Sequence, residues 1–141
     1  ANSGRWSLAA ERYDEFLRLY PHSPRVKEVE LSAADALYHS YSGRLRDETP
    51  LIEAEQRYRN FIARYPKDRH VEMIRKRLFQ IRSARAERLY TTAKFYRRIH
   101  KDKAAAYYFR KTLEEYPHTT WARKARAELA KISRENGVDN K

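Results

Sequence analysis

Residues 54–66 read AEQRYRNFIARYP, and the same arrangement stands at 9–21 (AAERYDEFLRLYP) and at 105–117 (AAYYFRKTLEEYP). Counting back from Pro21, Pro66 and Pro117, an alanine lies twelve positions earlier (Ala9, Ala54, Ala105) and an aromatic ring eight earlier (Tyr13, Tyr58, Phe109). Phe16, Phe61 and Thr112 stand five before the proline, and Leu17, Ile62 and Leu113 four before it. Steps of three and four put these side chains on one face of a helix. The small residue lets a neighbouring helix approach and the ring fills the gap beside it. Proline then stops the helix, because the residue before it avoids the α region. Three copies of one packing pattern predict an all-α chain.

The spacing is similar to that of the second helix of a tetratricopeptide repeat. That resemblance implies a right-handed superhelix of antiparallel helix pairs, about six helices in all. Standard repeats recur every 34 residues or so, whereas the Tyr-Pro marks are 45 and 51 apart here. The extra length is expected in the first helices of the pairs.

Reading along the chain, residues 5–20 predict a first helix with Trp6, Tyr13, Phe16, Leu17 and Tyr20 at helical spacing. Ser23-Pro24 reads as an N-cap followed by proline at N1, opening a helix through about Tyr41 that Gly43 ends. Residues 44–49 form the loop, Pro50 opens the third helix, and Asp68 and Thr119 occupy the same cap position as Ser23. From about Arg69 to Ile99 there is no Gly or Pro. Apolar residues fall at Val71, Ile74, Leu78, Ile81, Leu89, Ala93, Tyr96 and Ile99, which predicts one helix of about thirty residues. Arg85 interrupts that stripe where the helix changes packing partner, its stem covering apolar surface or its head pairing with a carboxylate. His100–Lys103 make a turn, and Ala104–Tyr116 the fifth helix. Thr119 to about Glu135 make the sixth, with Trp121, Ala122, Ala125, Leu129 and Ile132 inward. The whole of 1–141 reads as a single repeat domain, with 136–141 frayed. Ala1 precedes the first packing station by so little that the chain is expected to be a fragment opening inside a repeat.

Composition narrows the function. Charged residues make up 35% of the 141, with only three glycines, no cysteine and a net charge of +12. No apolar run reaches ten residues, so neither a membrane span nor a secretory segment is read. Without cysteine there is no disulfide, thiolate metal site or cysteine nucleophile. His22, His39, His70, His100 and His118 are scattered, with no pair at zinc-binding spacing. Glu114 and Glu115 are neighbours pointing to different sides of a helix, so they cannot flank one substrate bond. Three glycines build no phosphate loop. The chain is therefore read as no enzyme, with no catalytic residue, cofactor or metal.

A second resemblance is more specific. Arg46-Asp47-Glu48-Thr49-Pro50, then Glu53-Ala54 and Arg64-Tyr65-Pro66, are similar to the extended loop and helix of the BamD-like outer-membrane assembly lipoproteins. Arg82, Ala86-Glu87, Tyr90, Ala93 and Phe95-Tyr96-Arg97-Arg98 continue the match, as do Ala104-Ala105 and Glu115 to Thr119. The similarity runs from about Leu8 to Ile132 and includes both unequal repeat lengths. It implies a protein-binding scaffold on the periplasmic face of the outer membrane, held there by a lipid anchor that this cysteine-free chain does not carry. The partners it implies are a β-barrel insertase subunit, other assembly lipoproteins and unfolded outer-membrane protein clients.

Candidate contact residues follow from charge and aromatic content. The basic clusters at 75–77, 97–103 and 123–126 read first as solvated helix faces, next as surfaces for an acidic partner or anionic headgroups. Nucleic acid is not expected, because no nucleic-acid-binding signature accompanies the charge. Most of the eleven tyrosines sit at packing stations. Tyr38 and Tyr41 are expected to face a concave side, and of the adjacent Tyr107 and Tyr108 one must be accessible. The partner-binding set is Tyr38, Tyr41, Arg97, Arg98, Tyr108, Arg110, Arg123 and Arg126, the last six facing other machine subunits. The alternatives are another cell-envelope repeat adaptor, of the Tol-Pal or cell-division coordinator type, and a basic nucleic-acid-binding repeat protein.

Overall fold

A computed structural model describes residues 2–41 and 47–137, with side chains from Gly4 onward. Among the described residues six helices follow in order: α1 (Asn2–Leu19), α2 (Val26–Ser40), α3 (Thr49–Arg64), α4 (Val71–Arg98), α5 (Asp102–Glu115) and α6 (Thr120–Gly137). No strand occurs among the described residues. They group into two compact units, 1–81 and 82–141, with the division falling inside α4 between Ile81 and Arg82. In the first unit α1 packs on α2 and α2 on α3; in the second, α5 packs on α6.

The three Tyr-Pro marks fold alike. Tyr20, Tyr65 and Tyr116 donate their backbone N–H to the carbonyls of Phe16, Phe61 and Thr112, at 2.8, 2.8 and 3.1 Å. Each tyrosine carbonyl then accepts from the residue three ahead, Ser23, Asp68 or Thr119. The helix thus ends at one place in each repeat, where proline forbids another helical residue.

Burial at the stations is strongest in the later two copies. Ala54, Tyr58, Ala105, Phe109 and Thr112 have no exposed surface, and Thr112 satisfies its hydroxyl on the Tyr108 carbonyl at 2.8 Å. Ala9, Tyr13 and Phe16 are only half-buried. Tyr20, expected at a packing position, is 56% exposed and turns onto Phe16 at 5.2 Å. The difference lies in what covers each ring. Tyr65 is met by α2, through Glu30 and Lys27. Tyr116 lies under Arg82 and Arg85 of α4. For Tyr20 the neighbouring ring is Phe16, which belongs to its own helix.

The cap positions divide. Thr119 caps α6, accepting from the Ala122 N–H at 3.1 Å. Ser23 and Asp68 do not cap helices: α2 and α4 begin three residues later, and the side chains accept from Arg25 N–H (3.1 Å) and His70 N–H (2.8 Å) inside a preceding turn. Pro24 therefore sits in that turn and not at N1. Pro50 does stand in the first turn of α3, which opens at Thr49. Gly43, expected to end α2, lies outside the described residues together with positions 44–46 of the 44–49 loop.

α4 runs 28 residues. Its buried stripe is Val71, Ile74 and Ile81, then Ala86 and Ala93. The five-residue step from Ile81 to Ala86 moves the stripe around the helix at the place where the two units divide. Arg85 lies there, its guanidinium 5.9 Å from the Tyr116 ring centre. Ile99, expected inward, is 42% exposed because α4 has already ended at Arg98. That end is a left-handed cap without glycine. His100 has φ 63°, Lys101 N–H reaches the Tyr96 carbonyl at 2.9 Å, and His100 N–H reaches that of Arg97 at 3.1 Å. These are the two bonds of a Schellman motif.

Candidate interaction surfaces

In the first unit, polar side chains lock the helices through a small number of close contacts. Tyr58 of α3 donates to Asp35 of α2 at 2.6 Å, and Arg77 of α4 bonds both Asp35 (2.5 Å) and the Tyr58 hydroxyl (2.8 Å). Burial, and next the carboxylate it donates to, push the Tyr58 phenol well above its usual pKa, with Arg77 opposing. Arg57 grips Asp14 of α1 with two bonds of 2.6 and 2.8 Å. Such two-pronged contacts fix angle as well as distance. Asp68 joins the start of α4 to α2 by pairing with Lys27 at 2.8 Å while accepting from His70. Lys27 foremost, then the His70 backbone N–H, hold that carboxyl far below the usual carboxylate range. A cleft of about 460 Å³ opens beside this pair, lined among others by Lys27, Leu31, Asp35, Phe61, Asp68 and His70.

Tyr38 belongs to this network. It is half-buried, with Arg77 5.0 Å from its ring centre and its hydroxyl donating to Gln80 at 2.7 Å. Tyr41 is also half-buried, and its hydroxyl oxygen is enclosed. Neither side chain stands free on a surface.

In the second unit the predicted residues separate by role. Arg97 is three-quarters enclosed, pairing with Asp102 at 3.0 Å and with Glu135 of α6. It ties the end of α4 to α5 and α6. Arg98, next in sequence, points out, its guanidinium 5.9 Å from the Phe95 ring centre. Tyr108 is half-buried and stacks on Tyr96 at 5.5 Å with planes 6° apart. Of the adjacent tyrosines it is Tyr107 that is accessible, at 51%. Arg110 on α5 and Arg123 and Arg126 on α6 are exposed, and among the described residues no carboxylate pairs with them.

These exposed arginines stand on a firm base. Phe109, Ala93, Ala105, Ala125 and Ile132 form a buried cluster edged by Tyr90, Tyr96, Tyr108 and Leu129. Tyr90 touches both Phe109 (5.6 Å) and Trp121 (5.5 Å), and Lys124 lies 4.7 Å from the Trp121 ring centre. Glu128 is buried between Lys94 at 3.7 Å and Lys131 at 3.5 Å. Sequence reading missed Glu128, and a carboxylate three residues from Ala125 on the inward face of α6 was the available signal.

No helix among the described residues is long and apolar enough to cross a membrane. A family model described as YfiO, outer membrane lipoprotein, matches residues 2–141. No curated protein matches the chain.

Proposed function

Because the chain belongs to the YfiO family of outer membrane lipoproteins, we propose that it is a non-catalytic scaffold of β-barrel outer-membrane protein assembly. It would act in the BamD manner at the periplasmic face of the membrane. Its partners are a β-barrel insertase subunit, other assembly lipoproteins and unfolded outer-membrane clients. The observation that carries this reading is the division of labour among its arginines. Arg57 and Arg77 bind helices of the first unit together and Arg97 those of the second, where Arg110, Arg123 and Arg126 are displayed with no carboxylate partner among the described residues. Arginine on a rigid support suits a protein interface, where it is enriched and frequently dominates binding. The cleft beside Asp68 provides a concave surface for an extended client segment.

Affinity purification of the full-length protein from envelope extract tests the reading. Recovery of a β-barrel insertase with periplasmic repeat domains is the expected result. Recovery of soluble cytosolic proteins alone would overturn it.

A further inference from the structure

The end of the α4–α5 hairpin has a chemistry that the scaffold role leaves unused. Residues 94–111 hold seven Lys and Arg against one Asp, so half of the net charge of +12 lies in eighteen residues. The single acid, Asp102, is taken by Arg97. Among the described residues no carboxylate pairs with Arg98, Lys101 or Lys103, and all three are exposed.

Beside these cations runs a row of rings. Phe95 meets Tyr96 edge-on at 5.5 Å, Tyr96 stacks on Tyr108 at 5.5 Å, and Tyr108 meets Tyr107 edge-on at 5.1 Å. The inner two are half-buried, whereas Phe95 and Tyr107 are 47% and 51% exposed. Three residues link α4 to α5, so the helices run antiparallel. Stepping back one residue from the facing positions 96 and 108 then swings Phe95 and Tyr107 to the same side of the hairpin. Ile99 and Arg98 lie one turn beyond Phe95, and Lys103 and Lys111 one turn either side of Tyr107. Lys111 stands 5.9 Å from the Tyr107 ring centre and 3.9 Å from Glu115.

We infer that this hairpin end, Phe95, Ile99 and Tyr107 ringed by Arg98, Lys101, Lys103 and Lys111, is a docking surface for an anionic phospholipid bilayer. Aromatic rings favour the headgroup boundary, and lysine stems bury along apolar surface while their ammonium groups reach phosphates. Three of the four cations are lysine. Protein interfaces are depleted in lysine and enriched in arginine, so the composition favours a field of headgroups over an acidic protein. Each basic residue near such a surface adds about a fivefold gain in binding, weakened by salt.

The test is partition of the soluble 141-residue chain onto protein-free vesicles, of phosphatidylcholine alone or mixed with phosphatidylglycerol. The expected result is binding only to the phosphatidylglycerol vesicles, falling as salt rises. Lys101→Glu with Lys103→Glu should lower it at least about tenfold, and Phe95→Ser with Ile99→Ser should lower it severalfold. Arg12→Glu with Arg18→Glu makes the same charge change on exposed positions of α1 and should lower it far less. All six positions are exposed, and unchanged far-ultraviolet circular dichroism shows that each variant folds. Absence of partition overturns the inference. So does an equal loss from the α1 pair, or no loss from the apolar pair, since either means diffuse attraction to a basic protein. If vesicles are not bound but the Lys101, Lys103 variant fails to capture a protein partner, the surface belongs to an acidic protein. Because the vesicles hold no protein, the result is independent of the assembly role.

Discussion

Tyr58 and Phe109 occupy equivalent stations with equal burial, yet only Tyr58 has a hydroxyl to satisfy. Phe109 shows that the ring suffices for packing; the Tyr58 hydroxyl adds a bond to Asp35 and receives one from Arg77. Tyr58→Phe should cost about 1–2 kcal/mol, seen as a lower urea midpoint at unchanged slope. Because the folded-state pKa is raised above the unfolded value of 10.0, its contribution is complete below that pH. It is lost as pH climbs toward the folded value, since only the unfolded chain then releases the proton. The wild type should therefore lose stability above pH 10 more steeply than the Phe variant. Asp68 has the opposite sign. Its folded pKa lies below the unfolded 3.8, so its contribution is present above that value and fades as pH falls further. In acid titrations followed by circular dichroism, Asp68→Asn should be less stable than wild type at neutral pH and show a shallower loss below pH 3.8. The pairing at Asp68 was not legible in sequence, because Lys27 lies 41 positions away and nothing local selects it.

At the scale of elements, one helix begins on a side-chain cap and another ends on a left-handed residue that is not glycine. Ser23 and Thr119 stand at the same distance from their prolines, but only Thr119 accepts from the helix it precedes. Thr119→Ala should cost about 1 kcal/mol, and Ser23→Ala, on an exposed turn, no more than about 0.5 kcal/mol. Equal losses in chemical denaturation would contradict the assignment of the cap. The α4–α5 turn places His100 at φ 63°, where a Cβ crowds the following carbonyl. His100→Gly should raise stability by up to about 1 kcal/mol, because glycine adopts this conformation without that contact. A thermal melt that moves downward would refute it. The long uninterrupted helix was legible from the absence of Gly and Pro over 69–99. Its end was less so, since a histidine gives no warning of a left-handed residue.

On the scale of the whole molecule, the charge is not one feature but several. Seven basic residues concentrate at one hairpin end, while Arg123 and Arg126 share a face of α6. Arg123→Glu with Arg126→Glu should weaken capture of the protein partner at least about tenfold, as loss of interface arginines does. The same variant should leave stability within about 0.5 kcal/mol of wild type, since both side chains are exposed and no carboxylate among the described residues pairs with them. Loss of stability in step with loss of capture would mean instead that these arginines hold α6 in place. The candidate surface was only partly legible: the sequence put Arg97 and Arg98 in one set, whereas the fold pairs Arg97 with Asp102 and Glu135 and leaves Arg98 exposed.

Periodicity and turn chemistry alone determined the helical class, the three equivalent stations, the stops of the three helices that run into Tyr-Pro and the unusual length of α4. These are local properties, fixed by which residues recur every three or four positions and by where proline removes a donor. Only the tertiary structure decided that Tyr65 and Tyr116 are covered while Tyr20 is 56% exposed, that Tyr107 more than Tyr108 faces outward, and that Arg97 is clamped while Arg98 is exposed. Sequence spacing gives the direction a side chain takes from its own helix. Whether another helix arrives to meet it depends on segments dozens of residues away.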